Sequence, residues 1–135
     1  MPRELHKLLQ DFESGDLAPE GFSHEDHVAV AWQMLCGDDF LEAARRYTAG
    51  LRALTEKAGV PEKFNMTVTL AFLSVIAERM AGRKEETFEA FLADNRDLVS
   101  GNPLSAWYTK ERLACASART GFLMPDQWNF PAAAS

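Results

Sequence analysis

Residues 61–82 read PEKFNMTVTLAFLSVIAERMAG. Wound as a helix from about Glu62 to Ala81, this stretch spreads Phe64, Val68, Leu70, Phe72, Leu73, Val75, Ile76 and Met80 around most of its circumference. A helix that is apolar nearly all round belongs at the centre of a helical protein. Gly59-Val60-Pro61 turns the chain into it, and Gly82 ends it. The apolar run Val68 to Ala77 is interrupted by Thr69 and Ser74 and is too short to span a bilayer.

Helical periodicity continues on both sides. Upstream, a helix from Pro2 to Glu13 places Leu5, Leu8, Leu9 and Phe12 on one face. Ser23 caps a second helix, His24 to Cys36, with Glu25 and Asp26 in its first turn, where acids suit the helix dipole. Asp38 is expected to cap a third, to Ala58, with Phe40, Ala44, Tyr47, Leu51 and Leu54 buried and Arg45, Arg46, Arg52 and Glu56 solvated. Downstream, a fifth helix from about Lys84 turns Phe88, Phe91, Leu92 and Leu98 inward. After Ser100-Gly101-Asn102-Pro103 comes a turn with Leu104, Trp107 and Tyr108, then a short helix capped by Thr109. The tail from Phe122, with Pro125, Trp128, Phe130 and Pro131, reads as an irregular strap laid on the core by its aromatics. Alternating strand patterns and hairpin turn signals are absent. The expected architecture is an all-α, single-domain helical bundle of five main helices, one or two short C-terminal helices and that strap.

The 135 residues suit one core. Apolar residues make up 47% and charged residues 25%, a globular balance that excludes a disordered chain. With 20 acidic and 14 basic residues the formal charge is −6 and the pI near 5.0, which argues against nucleic acid or an anionic membrane as partner. Cys36 and Cys115 form no CxxC pair and no disulfide framework, so two half-buried, reduced thiols are expected. The polar start Met1-Pro2-Arg3-Glu4-Leu5-His6 lacks the apolar segment of a signal peptide, and a cytoplasmic location is expected.

The residues with chemistry in them are histidines. His24 and His27 are three apart, about 300° on a helix, so both rings leave nearly the same side as Val28, Ala31 and Leu35. Asp26 points away. On the fourth helix Asn65 and Thr69, four apart, open the stripe of Phe72 and Ile76. Short connections make the second and fourth helices parallel, so their N-termini share one end of the bundle. His24, His27, Asn65 and Thr69 would then meet in a polar pocket. Three readings stay open: structural histidines hydrogen-bonded in the core, a ligand pocket without metal, and a metal site. Two histidines fall short of the three or four ligands of zinc. A Ser-His-Asp set, a phosphate-binding glycine loop and an HExxH motif are all missing.

The run Phe22-Ser23-His24-Glu25-Asp26-His27-Val28-Ala29-Val30-Ala31-Trp32 resembles the F-x-H-x-D-H-V-x-x-A-W signature of a family of small uncharacterised bacterial helical proteins. Three later runs match that family's pattern in order: Phe64-Asn65-Met66-Thr67-Val68-Thr69, Trp107-Tyr108-Thr109-Lys110-Glu111-Arg112-Leu113, and Pro125-Asp126. The resemblance spans residues 22–126 and implies one site made of His24, His27 and position 65. The family carries a histidine where this chain has Asn65, whose carbonyl oxygen is a hard ligand suited to calcium or magnesium more than to zinc.

The leading expectation is a cytoplasmic protein that binds a small ligand through His24, His27, Asn65 and Thr69, with Trp107 and Tyr108 lining or covering the pocket. One histidine would be the general base if a reaction occurs there. The helix N-terminus would favour its neutral ring. No cofactor is required by this reading. The alternatives are a protein binding a divalent metal through His24 and His27, and an interaction module using an exposed aromatic patch around Trp128 and Phe130. A homo-oligomer is compatible with all three.

Overall fold

The structure, a computed structural model, describes residues 4–83 and 87–127. The chain is all-α, with no strand among the described residues. Helix α1 (Leu5–Ser14) starts at Glu4, whose carboxylate accepts from the backbone N–H groups of His6 and Lys7, and stops at Gly15 in the left-handed region. Helix α2 (His24–Gly37) opens with a capping box: Ser23 Oγ accepts from the Asp26 N–H, and the Asp26 carboxylate accepts from the Ser23 N–H, both at 3.1 Å. Helix α3 (Phe40–Lys57) is capped by Asp39, not by Asp38. Asp38 instead accepts from the Arg46 guanidinium at 2.5 Å.

That pairing changes the reading of Arg46. Its guanidinium also holds Glu13 of α1, so it ties α1 to α3 and is only 23% exposed rather than solvated. Lys57 adds a second tie, donating to the carbonyls of Gly15 and Leu17. Between them the Phe12 ring lies against Gly50, where a Cβ would overlap it.

Helix α4 runs Met66–Met80, four residues shorter at its start than expected. Pro61–Lys63 form a separate 3-10 turn, Phe64 is extended, and Asn65 caps the helix by accepting from the Val68 N–H at 3.0 Å. The apolar period runs through Phe64 unbroken, but Asn at an N-cap outcompetes its continuation. The central position belongs to α2. Four consecutive residues, Val28 to Ala31, are each at most 2% exposed, so α2 is buried on every side at that level. It packs against α1, α3 and α4, and against α6, described below. On α4, Leu73 and Ile76 are fully buried and Phe72 is half-buried, as is Phe64 ahead of the helix. Phe40 and its neighbour Leu41 are exposed, so the buried stripe of α3 starts at Ala43 and Ala44.

The expected fifth helix is two short ones, α5 (Phe88–Asp94) and α6 (Asp97–Ser100). The buried Asn95 side chain donates to the Phe91 carbonyl at 2.8 Å and competes with the backbone at the break. Thr87 caps α5; the start expected at Lys84 lies outside the described residues. Helices α7 (Lys110–Ala114), capped by Thr109, and α8 (Ala116–Thr120) follow. Residues 121–127 are irregular, and hydrogen bonds, rather than aromatics, hold them. Thr67, fully buried, donates to the Gly121 carbonyl and accepts from the Leu123 N–H. Tyr108 donates to the Leu123 carbonyl, and Asp126 accepts from Thr109. Phe122 is 48% exposed. Trp128, Phe130 and Pro131 lie outside the described residues. No helix of the described residues is long and apolar enough to cross a membrane. Cys36 and Cys115 are free and exposed, not half-buried.

Candidate functional site

The capping box of α2 and the Asn65 cap of α4 aim both helix starts at one cavity of about 550 Å³. His24, His27, Asn65 and Thr69 all line it. Its remaining wall comes from Tyr47, Leu51 and Thr55 of α3, Lys63, Phe64, Val68 and Phe72, and residues 98–99 and 101–104. The lining is mainly apolar, with polar groups set into it; a polar pocket was expected. No Asp or Glu lies among these residues. The Arg52 guanidinium sits 4.8 Å over the Phe64 ring and backs that wall from outside.

The polar residues differ in what they have left to offer. Asn65 is occupied: its carbonyl oxygen caps α4 and its amide donates to the Leu113 carbonyl at 2.7 Å. Thr69 donates to the Asn65 carbonyl at 2.7 Å, and Thr55 to the carbonyls of Leu51 and Arg52. These hydroxyls satisfy helix backbone. By contrast, His27 makes no side-chain hydrogen bond among the described residues; its ring packs 4.3 Å from that of Phe22. His24 is exposed, its ring 6.2 Å from that of His27.

Burial pushes the His27 pKa down to about 4, aided by the neighbouring His24 and opposed by Asp26. The ring is therefore neutral at pH 7, and desolvation is the main cause rather than the helix N-terminus. Such a ring donates and accepts hydrogen bonds but is a weak general base near neutrality.

Tyr47 is the residue that sequence reasoning placed only in the core. It is 1% exposed, and its hydroxyl has no hydrogen-bond partner among the described residues. That hydroxyl is nonetheless not sealed off, since no buried side-chain oxygen or nitrogen lacks a partner. Tyr47 lines the cavity. Burial raises the phenol pKa, so it stays a protonated donor. Its spacing on the apolar stripe of α3 carried no signal for this, because a buried tyrosine and a buried phenylalanine look alike in periodicity.

Trp107 and Tyr108 do not reach this cavity. They line a neighbouring cleft of about 310 Å³ with Val75, Phe122 and Met124, and only Pro103 and Leu104 belong to both walls. No hydroxyl or thiol of the described residues is hydrogen-bonded to His24 or His27. Among the described residues no group of three or more His, Cys, Asp or Glu could hold a metal ion. No family model, curated protein or solved structure matches the chain.

Proposed function

We propose that the protein binds a small, largely apolar molecule in the cavity between α2, α3, α4 and α6. The observation that carries this reading is the composition of the wall. Apolar side chains from four elements line a half-open cavity of about 550 Å³, within the range of roughly 300–1,000 Å³ that holds small ligands, and a few polar residues share the wall. Binding accounts for the site better than catalysis does. A histidine held neutral by burial recognises more readily than it abstracts protons, and nucleophile and base are not paired. The metal reading has two ligands, His24 and His27, where a zinc site needs three or four. We place the protein in the cytoplasm, where the exposed thiols of Cys36 and Cys115 stay reduced.

The neutral fluorophore 1-aminoanthracene tests the reading. It should bind the parent saturably, one to one. Leu51 lies one turn from Tyr47 on α3 and lines the cavity. Leu51→Trp should fill the space and abolish binding while the far-ultraviolet circular dichroism stays unchanged. No binding by the parent, or undiminished binding by a folded Leu51→Trp, would overturn the proposal.

A further inference from the structure

The cavity wall carries unused hydrogen-bond donors beside a cation and no anion. Thr55 and Thr69 spend their protons on helix carbonyls, and the Asn65 amide is held by Leu113. Among the donors left over are the Tyr47 hydroxyl, one N–H of the neutral His27 ring, and the Lys63 ammonium, which forms no ion pair among the described residues. All three donate. Although the chain carries −6 overall, the wall contains no carboxylate. A cationic ligand would find no counter-charge here, and a phosphate dianion would find one ammonium where such groups are usually held by several donors.

We infer, resting on the cavity reading above, that the ligand is a monocarboxylate with an apolar tail, its head group accepting a hydrogen bond from Tyr47 and facing Lys63. The Tyr47 hydroxyl has no partner among the described residues and, in a residue only 1% exposed, little access to water for the bond it made in the unfolded chain. A ligand oxygen that accepts from it restores that bond inside an apolar enclosure, where a charge-assisted hydrogen bond is stronger than in water. The tail then takes the surface of Leu51, Val68 and Phe72.

Displacement of 1-aminoanthracene at neutral pH by decanoate and by decanol, its neutral counterpart, tests this. Decanoate should displace the probe at concentrations about tenfold lower than decanol, the scale of one hydrogen bond to a charged group. Tyr47→Phe keeps the ring and its packing. It should weaken decanoate about tenfold relative to decanol. Lys63→Gln, at an exposed position, should weaken decanoate and spare decanol. Probe binding with equal displacement by the two competitors, with no displacement by decanoate, or with no effect of Tyr47→Phe would overturn the head-group assignment and leave the cavity reading standing. Failure of the probe itself to bind the parent would remove both.

Discussion

The side-chain amide of Asn65 donates a 2.7 Å hydrogen bond to the carbonyl of Leu113, 48 residues further along the chain. The other end of the same amide caps α4. One side chain therefore starts the helix that walls the cavity and anchors the end of α7 to it. Asn65→Ala should cost about 1–3 kcal/mol, combining a lost cap with an unpaired carbonyl. Asn65→Ser should recover the cap and not the bond to Leu113, and so fall between Ala and the parent. Urea unfolding of the three proteins checks the order; a Ser variant no better than Ala would mean the cap contributes nothing.

Thr67 holds residues 121–123 in the same manner, donating to Gly121 and accepting from Leu123 at 2.7 and 3.1 Å. Thr67→Val preserves shape and β-branching but orphans two backbone groups beside a fully buried position. The expected loss is about 1–3 kcal/mol. Thr67→Ser, which keeps the hydroxyl, should lose less than Val does.

Gly50 inverts an ordinary rule. Gly→Ala within a helix normally stabilises by about 0.5–1 kcal/mol. Here the added methyl meets the ring of Phe12, and the ring is itself stacked on Phe22 and tilted against Tyr47. Gly50→Ala should destabilise by about 1–3 kcal/mol through overpacking. A thermal midpoint at or above the parent's would show that α1 gives way without loss.

His27 makes stability depend on pH in a defined window. Burial lowers its pKa to about 4 in the folded protein, from about 6.5 for a solvated imidazole. Above about 6.5 the ring is neutral in both states and stability is full. As pH falls towards 4 the unfolded state takes up the proton first, and up to about 3 kcal/mol is lost; below 4 this group causes no further change. Arg79 holds the Asp97 carboxyl below its ordinary value, and the hydrogen bonds from Thr109 do the same for Asp126, so the stability those two contribute is lost at lower pH. Urea midpoints near pH 7 and near pH 4.5 should differ markedly in the parent and much less in His27→Gln.

The burial pattern also ranks two neighbours. Leu73 is fully buried and Phe72 is a half-buried wall of the cavity. Leu73→Ala should cost about 2–5 kcal/mol, and Phe72→Ala less despite its larger side chain, because the space it leaves joins an existing cavity. Equilibrium unfolding of the two variants checks the ranking.

The all-helical class, and the starts of α2 and α7 at Ser23 and Thr109, were legible in the chain by itself. Period and cap chemistry are local: a hydroxyl reaching the N–H three residues on needs no distant partner. Even there, locality had limits. The period ran through Phe64 and hid the cap at Asn65, and it joined α5 to α6 across Asn95. Tertiary structure alone decided the rest. Arg46 meets Glu13 across 33 residues and Asn65 meets Leu113 across 48, and neither spacing has a sequence signature. Short connections point to His24, His27, Asn65 and Thr69 lying at one end of the bundle, but not to which of them has bonds to spare. Nor could the sequence show that Tyr47 ends in that cavity, or that burial holds His27 neutral. A side chain's free donors and its pKa depend on what surrounds it in space, and packing of helices distant in sequence supplies those surroundings.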